Sequence, residues 1–190
     1  MSHADGVRSS WIRIVRWLEE NAAASARALN PPATDADIQQ LRDQLGFRIP
    51  EALETWLRLN NGSTAKPQPH VDSRVFPGGE VFLDCQSIID RHRNNLRIAD
   101  DIGDEDWWQS SWIPVLAEPD AHYGLVLDVG QRDGSVPVLA YRETDYPKKY
   151  ASSLEELLAG VADMLEHGRG DGLLTRGRKA SVEDGRVVWD

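Results

Sequence analysis

The apolar residues near the start of the chain recur at helical spacing. The positions are three or four residues apart: Trp11, Ile14, Val15, Leu18 and Ala22. Such spacing places one apolar stripe on a helix, and Ser9 or Ser10 could cap its start. The pattern therefore predicts an amphipathic helix at the N-terminal end, with its apolar face towards a core.

Two further helices are predicted before residue 62. After Asn30-Pro31-Pro32, Thr34 or Asp35 can cap a helix that ends at Gly46, where glycine is suited to a left-handed C-terminal position. Pro50 is well placed at the start of the next helix, which Asn61-Gly62 closes. The apolar positions of the two helices are Ile38, Leu41, Leu45, Leu53, Trp56 and Leu57.

The middle of the chain changes pattern. Residues 63–77, rich in Pro and Ser, predict a long loop, and residues 80–83 predict a short strand. Residues 87–98 predict a half-buried helix, which Asp84 or Ser87 can cap and which runs into an acidic segment at 100–106.

Short apolar runs then replace the helical spacing. Residues 112–116, 123–129 and 135–141 are separated by Pro119-Asp120 and Asp133-Gly134, which predicts an antiparallel meander. A closing helix is expected to begin at Ser152 or Ser153, to end at Gly168 and to pack on the sheet.

The C-terminal segment has a different character. Residues 169–179 are rich in Gly and Arg, and residues 186–189 could form an edge strand or fray. We therefore divide the chain into one domain at 9–167 and a C-terminal extension at 168–190. The basic tail residues are interpreted as a solvated extension and not as a nucleic-acid site: Arg169, Arg176, Arg178 and Lys179.

Composition narrows the class of partner. The 190 residues are 41% hydrophobic and include seven Trp, which is enough for one folded domain. Acids outnumber bases by 31 to 21, so a net charge of −10 disfavours nucleic acid and anionic membranes and favours a basic protein. With the single Cys85 and no apolar stretch of membrane-spanning length, the expected location is the cytoplasm.

Two groups of residues carry a resemblance to a known family. The first runs from Pro31-Pro32-Ala33-Thr34 through Ile49-Pro50 to Asn60-Asn61-Gly62, and the second comprises Trp112-Ile113-Pro114-Val115 and Tyr123-Gly124-Leu125-Val126-Leu127-Asp128. Both resemble the SUKH superfamily, which includes Smi/Knr-type cell-wall regulators of yeast and many bacterial toxin-immunity proteins. The chain departs from the family's pattern at residues 118–122 and after Gly168.

The resemblance implies both a fold and a role. The implied fold is α+β, a mostly antiparallel twisted sheet flanked by helices. The implied role is to bind other proteins, and the family offers no catalytic residues to transfer.

The acidic segment is the candidate binding site. Five carboxylates occur in seven residues, directly before two tryptophans: Asp100, Asp101, Asp104, Glu105, Asp106, Trp107 and Trp108. A solvated loop is one interpretation, and a docking surface for a basic toxin is the other. Trp108 is the expected exposed anchor and Trp112 a core residue. Glu118 and Asp120 are assigned to the same partner-binding surface.

Catalysis has little support in the sequence. His70 and His92 are isolated, and Asp84, Glu118, Asp120 and His122 match no ligand or catalytic spacing. Cys85 is expected to be a structural thiol, because the adjacent Asp84 raises the pKa of a thiol. We therefore expect no enzyme activity, no cofactor and no metal.

The leading functional hypothesis is a cytoplasmic immunity protein that neutralises a cognate polymorphic toxin by direct occlusion. The alternative is a regulatory scaffold of the Smi/Knr type that binds endogenous proteins such as cell-wall synthesis or signalling factors.

Overall fold

The computed structural model describes residues 2–64, 71–119, 121–143, 145–168 and 177–190. The helices are α1 His3–Asn21, α2 Ala23–Ala26, α3 Asp35–Leu45, α4 Glu51–Leu59, α5 Cys85–Ile102 and α6 Leu154–His167. The strands are β1 Val81–Phe82, β2 Trp112–Ala117, β3 Gly124–Asp128, β4 Val138–Arg142, β5 Asp145–Ala151, β6 Ala180–Glu183 and β7 Arg186–Trp189.

Local capping explains where most helices begin and end. The Thr34 side chain accepts from the backbone of Asp37, the Asp37 carboxylate accepts from the Thr34 backbone, and α3 ends at Gly46 with φ 76°. Asp84 caps α5 through the Ser87 backbone. Ser153 caps α6, which ends at Gly168 as predicted.

The first helix begins earlier than predicted. Ser2, rather than Ser9 or Ser10, caps α1, and Ser10 is buried inside the helix. The earlier start is explained by tertiary packing: the apolar face of α1 continues back to Val7, which is fully buried, and α1 packs along α6 and α4. The N-terminal turn therefore belongs to the packed structure.

Five strands form an antiparallel sheet in the order β1-β2-β3-β4-β5. Ile113 lies opposite Leu127, and Leu125 lies opposite Ala140, so the predicted meander is confirmed. Strand β5 was not predicted, because its sequence Asp-Tyr-Pro-Lys-Lys-Tyr-Ala has no apolar run. It is held by pairing with β4, which is irregular in register.

The main core lies between the helices and the sheet, which confirms the α+β class. At its centre Trp56 stacks on Phe82 with ring centroids 3.6 Å apart, and Trp11 packs edge-on against both rings. Aromatic pairs of this kind stabilise a core beyond the area they bury. Helix α5 packs on α3 and β2, and the segment after its C-terminal end leads into β2.

The last strands form a separate hairpin, and residues 186–189 do not extend the main sheet as an edge strand. β6 and β7 pair only with each other among the described strands. The hairpin is nevertheless anchored: the Gly185 carbonyl accepts from the Ala24 N–H at 2.8 Å, and Val187 is 5% exposed within the main core. Trp189 donates its indole N–H to the Val75 carbonyl.

Within the described residues, none of the helices combines the length and apolar character needed to traverse a bilayer.

Candidate protein-binding surface

The acidic turn, residues 100–106, joins α5 to β2. Asp100 and Asp101 belong to the last helical turn of α5, and Gly103 ends the helix in the left-handed conformation at φ 67°. Asp100, Asp101, Glu105 and Asp106 are exposed, whereas Asp104 is half-buried. The helix C-terminus adds its own partial negative charge to these carboxylates. The result is a concentrated negative potential that favours a cationic ligand.

Asp104 organises the turn. Its Oδ1 accepts from the backbone N–H groups of Asp106 at 3.0 Å and Trp107 at 3.2 Å. Its Oδ2 accepts from the Tyr146 hydroxyl at 3.2 Å, and the Trp107 indole N–H donates to the Glu143 carbonyl at 3.1 Å. These contacts dock the acidic turn on the β4–β5 hairpin, so its exposed carboxylates are held on a supported surface.

Most of the carboxylates of the turn form no ion pair with a residue in the described part of the chain. Asp101 pairs with Arg97 at 2.7 Å, an exposed pair one helical turn apart that contributes little to stability. Asp100, Glu105 and Asp106 form no ion pair with any residue that the structure describes. Their charge is therefore available to a partner.

Trp108 is buried, so its predicted role as an exposed anchor is wrong. It is 2% exposed and packs edge-on against Trp112 at 5.7 Å and Tyr141 at 5.2 Å between ring centroids. Trp112 is buried as predicted, and Trp107 is half-buried. The reversal of the chain between Asp104 and Trp107 directs the Trp108 side chain into the core. The sequence alone does not show which of two adjacent tryptophans is buried.

Two exposed apolar side chains lie near the acidic turn instead. Tyr146 is 61% exposed and contacts Asp104, and Ile102, within the turn, is 57% exposed. An aromatic residue beside carboxylates is a typical anchor at protein interfaces. From the sequence, Ile102 could have been identified only as an apolar residue inside an acidic run. Tyr146 could not be identified, because it lies in a strand that was not predicted.

Glu118 lies in a different part of the surface, after β2. It lines a pocket of about 190 Å³ with Tyr123 and Tyr141. The Tyr141 ring also packs against Trp108, which lies two residues beyond the acidic turn. Asp120, assigned to the same surface, lies outside the described residues.

The candidate catalytic groups are dispersed. Cys85 is buried, and burial, followed by the charges of Asp37 and Asp84, raises the pKa of its thiol to about 12. Burial lowers the pKa of His92, whose Nδ1 is 2.9 Å from the Trp112 carbonyl oxygen. Such a thiol is a poor nucleophile, and such an imidazole is oriented by the backbone. His70 lies outside the described residues.

Among the described residues, one group of potential metal ligands occurs, on α6: Asp163, Glu166 and His167, all exposed. Arg13 of α1 already donates to Asp163 at 2.6 Å and to Glu166, and this contact lowers the pKa of Glu166. A guanidinium in this position neutralises the carboxylates that would attract a cation. We therefore interpret the group as part of an ion-pair network between α1 and α6.

Comparison with known proteins places these features in a family context. A sequence model of the SMI1/KNR4 family (SUKH-1) matches residues 32–160, which contain the acidic turn and the whole five-stranded sheet. A glucan synthesis regulatory protein of Neurospora crassa is 29% identical over 92 residues, covering 46% of this chain and 16% of that protein. The chain thus aligns with less than a fifth of this relative.

Proposed function

The chain belongs to the SMI1/KNR4 family (SUKH-1), and from that premise we propose that it is a non-catalytic protein that binds a basic protein through its acidic turn. More specifically, we propose that the chain is an immunity protein: its partner is a bacterial toxin, and binding occludes the toxin's active or target-binding surface. The observation that carries the proposal is the supported cluster of exposed carboxylates beside Tyr146.

The charge arrangement suits fast and selective encounter. The chain carries a net charge of −10, and Asp100, Glu105 and Asp106 add local negative charge at the end of a helix. Complementary charges raise association rates, and the effect falls as salt shortens the Debye length to about 8 Å at physiological ionic strength. A basic toxin would be captured quickly, which an immunity protein requires.

The neighbouring sheet edge favours docking through side chains. β5 is one of the two outer strands, but it contains Pro147, which has no N–H to donate, followed by Lys148 and Lys149. Proline and lysine on an edge strand oppose pairing with another chain. We therefore place the contact on Tyr146, Ile102 and the carboxylates, and not on an added strand.

A regulatory scaffold is the second candidate. It is favoured by the similarity to the Neurospora crassa relative, which is a glucan synthesis regulatory protein. The same acidic turn would then bind an endogenous basic protein, and no toxin would be neutralised.

The two candidates are separated by co-expression. The tagged chain is expressed with the products of its neighbouring genes and purified at physiological salt, and bound proteins are identified by mass spectrometry. Recovery of a stoichiometric neighbour that kills cells when expressed alone, and is harmless with this chain, supports immunity. Recovery of an endogenous, non-toxic protein supports the scaffold.

A matched pair of variants tests the surface. Glu105→Gln with Asp106→Asn removes two charges from the acidic turn, and Glu19→Gln with Glu20→Gln removes two from exposed adjacent positions of α1. We expect only the first pair to slow association and to weaken its dependence on salt. If both pairs changed the association rate equally, the acidic turn would not be the binding surface.

A further inference from the structure

We propose that the outer edge of β6 pairs with the same edge of a second copy of this chain, antiparallel and centred on Ser181. The pairing joins the C-terminal hairpins of the two copies into one continuous sheet. It uses no residue of the acidic turn, so this inference goes beyond the proposed function and does not depend on it.

The outer edge of β6 lacks the protection that the other strand edges have. Ser63 covers β1: its N–H donates to the Phe82 carbonyl at 2.8 Å, and its hydroxyl accepts from the Phe82 N–H at 3.2 Å. The outer side of β7 faces the body of the protein, where the Val187 N–H donates to Ser25 Oγ at 3.1 Å. Proline and lysines oppose pairing at β5, whereas β6 contains neither residue type. An exposed strand edge without such protection is a template for another strand.

The register of the hairpin shows which backbone groups of β6 point outward. Lys179 and Asp190 exchange two backbone hydrogen bonds, at 2.8 and 3.1 Å, and the next opposed pair is Ala180 with Trp189. Hydrogen-bonded and non-hydrogen-bonded pairs alternate along an antiparallel ladder, so Ala180 and Val182 are not hydrogen-bonded to β7. Their N–H and C=O groups therefore point away from β7, and these groups form no hydrogen bond with any described residue.

These outward groups are self-complementary about Ser181. In an antiparallel pairing centred there, Ala180 of each copy lies opposite Val182 of the other, and the two residues exchange both backbone hydrogen bonds. Every outward N–H and C=O group of Ala180 and Val182 thereby finds a partner in the second copy.

The charges that flank Ser181 agree with this register. It places Lys179 of each copy opposite Glu183 of the other. Both side chains are exposed, and neither forms an ion pair with a residue that the structure describes. Opposite charges directly across two strands stabilise a pairing, and like charges destabilise it. The lysine that would otherwise protect the edge is therefore neutralised by the second copy.

Val182 adds an apolar contribution. It is 41% exposed, although Val187, opposite it in the hairpin, is buried in the main core. In the proposed pairing Val182 lies beside Ala180 of the second copy, which covers part of its side chain. Because β6 has only four residues, the interface is small and the dimer is weak, so its population depends on concentration.

Sedimentation velocity of the full chain, at a series of concentrations, tests the association. We expect a monomer–dimer equilibrium. Lys179→Glu and Glu183→Lys should each weaken dimerisation several-fold, because each places like charges opposite one another across the two copies. An equimolar mixture of the two variants should form dimers again, because one strand then carries two acids and the facing strand carries two bases.

Lys149→Glu and Glu19→Lys are matched controls, since they make the same charge changes at exposed positions outside β6. Each should leave dimerisation nearly unchanged, and thermal unfolding checks that all four variants remain folded. A native chain that stays monomeric at every concentration would overturn the proposal. So would a mixture of the two β6 variants that fails to restore the dimer.

Ser181→Cys tests the register directly. The two copies of residue 181 form a non-hydrogen-bonded pair, in which the Cα atoms are about 4.5 Å apart, a separation that a disulfide can span. Mild oxidation should link this variant to itself, whereas Ser135→Cys, in the exposed β3–β4 turn, should remain unlinked; the native Cys85 is buried. Equal linking of both variants would contradict the register. A Ser181→Cys chain that links only to a captured partner protein would assign the edge to that partner and reject self-pairing.

Discussion

The hydroxyl of Tyr146 donates a hydrogen bond of 3.2 Å to Asp104, which ties the edge strand β5 to the turn that follows α5. The contact raises the pKa of Tyr146, because ionisation would place two negative charges together, and Asp106 adds to the effect. The exposed ring is thereby fixed beside the acidic turn. An apolar surface and a charged surface become one continuous candidate interface.

The first prediction separates the ring of Tyr146 from its hydroxyl. Tyr146→Phe should change affinity for the co-purified partner little, because the ring remains, whereas Tyr146→Ala should weaken binding by about tenfold, the loss typical of an aromatic anchor. Isothermal titration calorimetry measures both. Equal losses in the two variants would show that the hydrogen bond to Asp104, and not the ring, matters for binding.

The second prediction concerns the adjacent tryptophans. Trp108→Ala removes a 2% exposed ring and should lower the free energy of unfolding by about 3–5 kcal/mol, the usual cost of emptying such a site. Trp107→Ala should cost much less, because that side chain is half-buried. Urea unfolding of the two variants checks the order. The reverse order would place Trp108 at the surface after all.

Features with local causes were predictable from the sequence. The cap of α3 at Thr34, one of the two caps predicted, and its end at Gly46, also predicted, depend on residues within one helical turn. The strand beginning at Trp112 was predicted from its apolar run. Caps and apolar runs are read over a few residues, so neither needs knowledge of the tertiary fold.

Features with tertiary causes were not predictable. The acidic turn was identified from its carboxylates, but the inward direction of Trp108 depends on contacts with Tyr141, a residue of another strand. Tyr146 became a candidate only through the pairing of β5 with β4. The pocket at Glu118 likewise requires the loop at 78–80 and two strands to meet.

The third prediction tests whether the C-terminal hairpin is part of the folded unit. Val187 and Val182 face each other across the hairpin, but Val187 is 5% exposed and Val182 is 41% exposed. Val187→Ala should lower the free energy of unfolding by about 1–2 kcal/mol, and Val182→Ala should be nearly neutral. Chemical denaturation measures both. Identical stabilities would indicate that the hairpin is a dispensable extension, as the division at 167/168 predicts.

The fourth prediction concerns pH and His92. The imidazole is buried and oriented by the Trp112 carbonyl, and its ring lies edge-on to Phe47 at 6.5 Å, so burial lowers its pKa below 6.5. Above pH 6.5 the imidazole is mostly neutral in both the folded and the unfolded chain. As pH falls through 6.5, only the unfolded chain gains the proton readily, and stability is lost.

His92→Gln isolates this contribution, because the amide can still donate to the Trp112 carbonyl but does not titrate. The native chain should lose stability between pH 7 and 5, by at most about 1.4 kcal/mol per pH unit from this group, and the variant should lose less. Urea unfolding at each pH measures the difference. Carboxylates with lowered pKa values, such as Glu166, lose their contribution as pH falls below about 4.5, outside this interval. Parallel pH profiles of the two chains would mean that His92 is protonated equally in the folded and unfolded states.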